Sequence, residues 1–365
     1  MTDQHALVDS TSGPAADRPG AGVTGGVDTH KDTHVAAARD AVGRVLGTQA
    51  FPATSAGFAA LWSWLCGFGP VTAVGVEGTG SYGAGLARFL ATTGVRVVEV
   101  NRPDRATRRR RGKSDPLDAI NAAAAVQSGD ASATPKAGGG VVEAIRVLRT
   151  VRASAVKSRT SALNQLASLL VPAPGVVRQA LVGLTGAARL AACAALPVEG
   201  RLSDPAHAVA TALRRLAGRI DDLSREIRQA DTELEALTSS AAPRARALLG
   251  VGPDTASQLL TTAGDNPDRL RCEAAFARLC GVAPIPASSG RTDRHRLHRG
   301  GDRHANAALY RVVIVRLRYC PRTRAYLARR TAQGLSKKDI IRCLKRYVAR
   351  EIYTALRADL AQLTT

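Results

Sequence analysis

The chain has 365 residues, enough for two or three domains, and its 51 Lys and Arg against 30 Asp and Glu leave a formal net charge of +21. That excess favours a polyanionic partner, nucleic acid rather than a membrane, because neutralising phosphates releases condensed counterions. No run of about 20 apolar residues exists, and the longest near the C-terminus, 312–319, is broken by Arg316 and Arg318, which excludes a membrane-spanning helix.

Residues 1–20 lack an apolar stretch and read as a disordered tail rather than a signal peptide. The cysteines Cys66, Cys193, Cys272, Cys280, Cys320 and Cys343 form no C-x-x-C pair. They are read as reduced core thiols of a cytosolic protein, with neither a zinc nor a disulfide framework.

Strands are predicted over 23–28, 35–38 and 44–51, the first two joined by a polar turn. A helix follows over 56–68, with Leu61, Trp62 and Leu65 on one face. Next come a buried strand over 71–76 running into Glu77, a helix over 82–93, a β-branched strand over 95–100, a basic loop, and a helix from Pro116. Three meandering strands and then helix–strand–helix–strand–helix is the element order of a ribonuclease H-like α/β fold, although other α/β folds share parts of it.

Residues 129–140 form a Gly/Ala/Ser linker. Helical periodicity then covers 141–170, with Leu148, Leu163, Leu166 and Leu170 in one stripe, and 204–237, with Leu213, Leu216, Ile220, Leu223, Ile227 and Leu234 at spacings of three, four and seven. The pair fits an antiparallel coiled-coil hairpin or a dimer stalk, and equally a helical bundle within one chain. At Gly250-Val251-Gly252-Pro253 the glycines could let backbone N–H groups meet a phosphate at a helix N-terminus, or could make a tight turn between helices. Further helices are predicted over 274–280, 305–319 and 337–356.

The chemistry rests on carboxylates at element ends. Asp28 ends the first strand, and Glu77 ends the fourth and precedes a Gly-rich turn. In a ribonuclease H-like sheet these strands are neighbours, so the two acids converge. Asp115 and Asp118 lie three residues apart on one helical face; as an N-cap and N3 pair with Pro116 they would need no metal. Four carboxylates together repel unless Mg²⁺ neutralises them, and two ions about 4 Å apart suit phosphoryl transfer. Asp28 is the expected bridging ligand, whereas 30–34 is read as a connection without a catalytic role. Just before Asp115 lies a basic run with Arg102, Arg105, Arg108, Arg109, Arg110, Arg111 and Lys113, fit to hold nucleic acid beside the acids.

Gly26-Val27-Asp28, Val76-Glu77-Gly78-Thr79-Gly80 and Lys113-Ser114-Asp115-Pro116-Leu117-Asp118-Ala119 together resemble the DEDD-type insertion-sequence transposases of the IS-one-ten family. Gly250-Val251-Gly252-Pro253, Gly281-Val282-Ala283-Pro284, Ser288-Ser289-Gly290 and Arg299-Gly300-Gly301-Asp302 continue the resemblance through the C-terminal third. The resemblance implies a resolvase-type domain that binds Mg²⁺ through Asp28, Glu77, Asp115 and Asp118. It also implies a C-terminal transposase domain whose serine nucleophile, matched by Ser289, forms a covalent phosphoserine with DNA. It further implies acids and serine from different subunits joined through the coiled coil, a dimer that pairs into a tetramer, and a structured bridge RNA that pairs with donor and target DNA. The expected layout is 21–130 for the acidic domain, 131–240 for the linker and coiled-coil helices, and 241–365 for the transposase domain, in a nucleoid-associated protein.

Physical reasoning alone does not separate Ser288 from Ser289, and a serine without an activating base or metal is a poor nucleophile. Arg291, Arg294 and Arg299 could steady a phosphate near it, and Arg303, Asn306 and Arg311 would continue that strip onto a helix. Lys337, Lys338, Arg342, Lys345 and Arg346 make a basic helix that suits backbone contact. His295 and His298 have no further zinc ligands at suitable spacing. Two other readings stay open: a Mg²⁺-dependent junction resolvase or nuclease that uses water, and a nucleic-acid-binding protein without catalysis.

Overall fold

A computed structural model describes residues 22–100, 114–197, 200–201, 203–265, 270–291 and 294–363. The disordered tail expected over 1–20 lies outside them, and so does the basic run with Arg102, Arg105, Arg108, Arg109, Arg110, Arg111 and Lys113. The chain divides into two compact units, 1–136 and 137–365.

The first unit is a mixed five-stranded sheet. Its strands are β1 (Val23–Thr29), β2 (Thr33–Arg39), β3 (Val45–Pro52), β4 (Val71–Glu77) and β5 (Arg96–Val100), in the order β3-β2-β1-β4-β5. β1 pairs antiparallel with β2 and parallel with β4, so the ends of β1 and β4 that carry Asp28 and Glu77 lie side by side. Alternation of side chains gives each face its own packing. Val23, Val27, Val74 and Val76 pack on one face against α1 (Ser55–Cys66) and α2 (Ala84–Thr92), through Leu61, Leu65, Leu86 and Leu90. The other face carries Gly26, Asp28, Gly75 and Glu77 and receives α3 (Asp115–Gln127) through Ala119, Ala122, Ala123 and Val126.

Glycine is required where that helix meets the sheet. A Cβ on Gly26 would lie 2.2 Å from the Ala123 nitrogen and 2.3 Å from the Ala119 oxygen; one on Gly75 would lie 2.9 Å from the Ala122 oxygen. The helix therefore rests almost backbone to backbone on β1 and β4, two residues before each acid.

In the second unit, α4 (Gly140–Leu170) lies antiparallel to a later helix, α7 (Pro205–Ala241), after the short α5 (Gly175–Leu181) and α6 (Gly186–Ala194). Leu166 shares a cluster with Leu213 and Ile220 at one end, Ile145 shares one with Leu234 at the other, and Arg152 bonds Asp231 between them at 2.6 Å. The two predicted helices thus pair with each other inside one chain. Their Ile145–Leu234 end shares a core with α8 (Pro243–Arg246), α9 (Pro253–Ala263), α10 (Glu273–Leu279), α11 (Arg303–Tyr319) and α13 (Lys337–Leu363). The unpredicted elements of this region include a hairpin, β6 (Pro284–Pro286) with β7 (His295–Leu297), and α12 (Pro321–Ala332). Asp359, 1% exposed, locks the last helix to α8 by accepting the Arg244 and Ala245 backbone N–H groups at 3.1 and 3.0 Å.

All six cysteines are free thiols, but not all are core residues: Cys193 and Cys280 are buried, whereas Cys66 and Cys272 are exposed. Cys66 is the last residue of α1 and Cys272 is the residue before α10, positions that face outward at helix ends. No helix among the described residues is long and apolar enough to cross a membrane.

Candidate metal centre and serine hairpin

Asp28, Glu77 and Asp118 are 7, 6 and 5% exposed and line one cleft of about 640 Å³ at the end of the sheet. Thr29 ties its floor together by donating its hydroxyl to the Glu77 carbonyl at 2.9 Å. Gly78 turns the chain away from β4 at φ +61°, a conformation open to glycine. His30, Lys31 and Tyr82 complete the rim.

Asp118 reaches the cleft because of where α3 starts. Ser114 is the N-cap residue, extended at φ −148° and ψ 148°, and no side chain caps the helix. Asp115 and Pro116 open the first turn, and the Asp118 N–H donates to the Ser114 carbonyl at 3.0 Å. The capping role open to Asp115 and Asp118 in the sequence is thus not theirs. Asp118 turns inward, and Asp115, with a side chain 46% exposed, stands at the mouth of the cleft.

The turn after β1 is part of this site, contrary to the expectation that 30–34 only connects. His30 Nδ1 lies 3.8 Å from Asp28 Oδ2, and His30 Nε2 lies 3.6 Å from Asp115 Oδ1. One ligand atom from each of Asp28, His30 and Asp115 falls within 4.8 Å of the others. The Asp-x-His spacing across a tight turn was the available signal. His34 behaves differently: it is fully buried and stacks on Phe58 with ring centroids 5.6 Å apart and planes within 4°. Burial pushes its pKa down, partly opposed by the Thr33 backbone and reinforced by His30.

Three nearly buried carboxylates in one cleft, a fourth at its mouth and one imidazole make a donor set that fits a divalent cation.

In the second unit, the β6–β7 hairpin carries the serines. The Ala287 N–H donates to the Arg294 carbonyl at 2.8 Å, and the Arg294 N–H donates to Ser288 Oγ at 3.3 Å. Ser288 therefore closes the hairpin loop; both serines are exposed, and Ser289 stands beside Gly290, which has φ +56°. Arg291, Arg294, Arg299 and Arg303, on the hairpin and the segment that follows it, are exposed. The two glycine motifs flanking the hairpin touch: a Cβ on Gly301 would lie 2.2 Å from the Gly281 nitrogen. Asp302 anchors this junction as the N-cap of α11, accepting the His304 N–H at 2.8 Å and the Thr262 hydroxyl at 2.7 Å. Burial raises its pKa, but these hydrogen bonds outweigh burial and hold the carboxyl below its usual range.

Several expected nucleic-acid contacts have internal work instead. Asn306 donates to the Cys280 and Gly281 carbonyls at 3.1 and 2.9 Å and accepts from Lys345 Nζ at 2.8 Å, so both ends of its amide, and the Lys345 ammonium, are held inside the fold. Arg311 pairs with Asp254 at 2.7 Å, beside Arg149 at 3.2 Å. Gly250, at φ +89°, lies where a Cβ would meet the Val312 carbonyl at 3.2 Å. The Val251 N–H bonds the Leu248 carbonyl, and Gly252 is the N-cap residue of α9. The Gly250–Gly252 stretch is a tight turn between helices. Around the basic face of α13, Arg342 pairs with Asp339, and Arg346 and Arg350 pair with Glu273.

Two family models match the chain. A DEDD-type IS110 model, described as Transposase, matches residues 25–173 and takes in all four acids. A second, described as Transposase IS116/IS110/IS902 family, matches residues 242–328 and takes in Ser289. A search of curated proteins finds no match. The two matches lie in chain order and together take in well over half of the chain: the protein belongs to the IS110 (IS-one-ten) family of insertion-sequence transposases.

Proposed function

We propose that this transposase cuts and rejoins DNA by phosphoryl transfer, with a ribonuclease H-like carboxylate cleft that holds Mg²⁺ and Ser289 as the attacking group. The observation that carries the reading is the convergence of Asp28, Glu77 and Asp118, all under 10% exposed, on one cleft. Asp28, Glu77, Asp118 and Asp115 would hold two Mg²⁺ ions, which supply charge neutralisation at the phosphate and at the attacking and leaving oxygens. Asp28 and Glu77 are fixed by strand pairing and Asp118 by helix docking, so the acids are preorganised.

Ser289 is favoured over Ser288 because it holds the family position and because the Ser288 hydroxyl accepts the Arg294 backbone N–H. In the proposed step, Ser289 Oγ forms a bond to the scissile phosphorus and loses its proton to solvent, and the bond to the sugar oxygen breaks. A free sugar hydroxyl of the exchanging strand then attacks the phosphoserine and releases the serine. Arg291, Arg294 and Arg299 would orient the phosphate. A bridge RNA transcribed from the element, paired with donor and target DNA, and assembly into a dimer and then a tetramer complete the reading. They rest on the family resemblance and on the net charge of +21.

Labelled donor and target duplexes, incubated with Mg²⁺ and the RNA transcribed from the flanking element sequence, test the reading on denaturing gels. The expected result is a protein–DNA adduct that Ser289→Ala abolishes and Ser288→Ala keeps. Asp28→Asn and Glu77→Gln should lower it by at least about 100-fold. Cleavage without an adduct under any condition would establish water as the nucleophile instead. No cleavage, with binding unchanged in the acid variants, would leave a nucleic-acid-binding protein.

A further inference from the structure

We propose that His30 is a metal ligand, which turns a carboxylate centre into a mixed nitrogen–oxygen site that holds Mn²⁺ more tightly than Mg²⁺. The inference rests on reading the cleft as a metal centre, and it adds a residue that the four-acid pattern does not contain.

The geometry is that of a shared ion rather than of a hydrogen bond. The separations of 3.8 Å to Asp28 Oδ2 and 3.6 Å to Asp115 Oδ1 are too long for N–H···O bonds. Around an octahedral ion with bonds of about 2.1 Å, donors lie about 3.0 Å apart when adjacent and about 4.2 Å apart when opposite. The two separations use opposite nitrogens of the ring, so a single ion takes only one of them; one nitrogen of His30 and one oxygen each of Asp28 and Asp115 still form a trio within 4.8 Å, which small side-chain rotations can close onto one ion. The backbone at His30 is fixed by its N–H, which donates to the Thr33 carbonyl at 3.1 Å and closes the turn. Side chains of His30 and Asp115 are 48 and 46% exposed, so each can close on an ion by a small rotation, whereas Asp28 is fixed on the sheet. One ring nitrogen would bind the ion. Imidazole nitrogen favours later first-row cations over Mg²⁺, which prefers oxygen and retains water, so the same cleft with and without His30 should differ in ion preference.

Mn²⁺ binding to the full-length protein, followed by electron paramagnetic resonance, tests the inference without relying on DNA cleavage. Electron spin-echo modulation of the bound ion should show a ¹⁴N coupling. His30→Gln should retain bound Mn²⁺ but lose that coupling, and its Mn²⁺ affinity should fall roughly tenfold, on the scale of altered metal surroundings. Mg²⁺ affinity, measured by competition, should stay within about twofold, since oxygen donors remain. Asp28→Asn should abolish Mn²⁺ binding and so place the ion in the cleft. Bound Mn²⁺ that depends on Asp28 but shows no ¹⁴N coupling would overturn the role of His30 and leave the metal centre standing. Mn²⁺ binding that is absent, or indifferent to Asp28→Asn, would overturn both.

Discussion

His30 and His34 lie four residues apart and meet opposite surroundings. His30 is half exposed at the mouth of the cleft, whereas His34 is sealed between the sheet and Phe58 and neither of its ring nitrogens meets hydrogen-bonding geometry. With its folded pKa pushed below the ordinary 6.5 by burial, His34 is neutral where the unfolded chain is already taking up a proton. Its contribution is therefore intact above about pH 6.5 and is lost as pH falls from there toward the folded value. Denaturant titrations of the protein should show stability falling as pH drops below about 6.5, and His34→Phe, which preserves the stack, should flatten that slope. An unchanged slope in His34→Phe would assign the pH dependence to other groups. At this scale the convergence of Asp28 and Glu77 on one cleft was legible in the sequence because each ends a strand and the two strands pair as neighbours. His30 was not, because its role depends on which way a tight turn folds a ring back. The internal bonds of Asn306 were not legible for the converse reason: its basic neighbours in sequence suggest a phosphate, and the Cys280 and Gly281 carbonyls that meet it in space lie far from it in the chain.

Among the elements, the contact between α3 and the sheet determines whether there is a site at all. Gly26 and Gly75 sit on the same face as Asp28 and Glu77, and a methyl at Gly26 would collide with helix backbone, which cannot rotate away as a side chain could. Gly26→Ala should destabilise the protein by about 1–3 kcal/mol in urea unfolding and weaken Mn²⁺ binding at the same time, because Asp118 moves out with its helix. A variant of normal stability and normal ion affinity would show that the helix does not need that close approach. The strands of this unit were readable from their alternation, and β4 proves one residue longer than its apolar run, taking in Glu77 itself. In the second unit, α12 escaped prediction because its sequence is dominated by Arg and Ala with no apolar stripe to give it period. The short β6 and β7 escaped because each is only three residues long.

For the whole molecule, the positive charge is a poorer guide to contact surfaces than its total implies. Arg149, Arg152 and Arg311 gather around Asp254, Arg316 is nine-tenths buried against Glu351 and the Leu249 carbonyl, and Glu273 holds Arg346 and Arg350. These residues were indistinguishable in sequence from the exposed arginines near Ser289, since pairing across helices leaves no local signature.

The division of the acids between sheet and helix has a thermodynamic consequence. An ion held by Asp28 and Glu77 on the strands and by Asp115 and Asp118 on α3 binds only while the helix is docked, so the ion and the docked state stabilise each other. At a free ion concentration 100 times its dissociation constant, linkage adds about 2.7 kcal/mol to docking. Amide hydrogen exchange in α3 should then slow by about 100-fold on adding Mg²⁺ or Mn²⁺, and α1, on the opposite face of the sheet, should serve as the less responsive internal reference. Equal slowing in both helices would mean that the ion stabilises the unit globally, and no change in either would mean that it does not bridge strand and helix. On this view the cation is a structural strap as well as a reagent, and removing it would free one helix before it unfolded the domain.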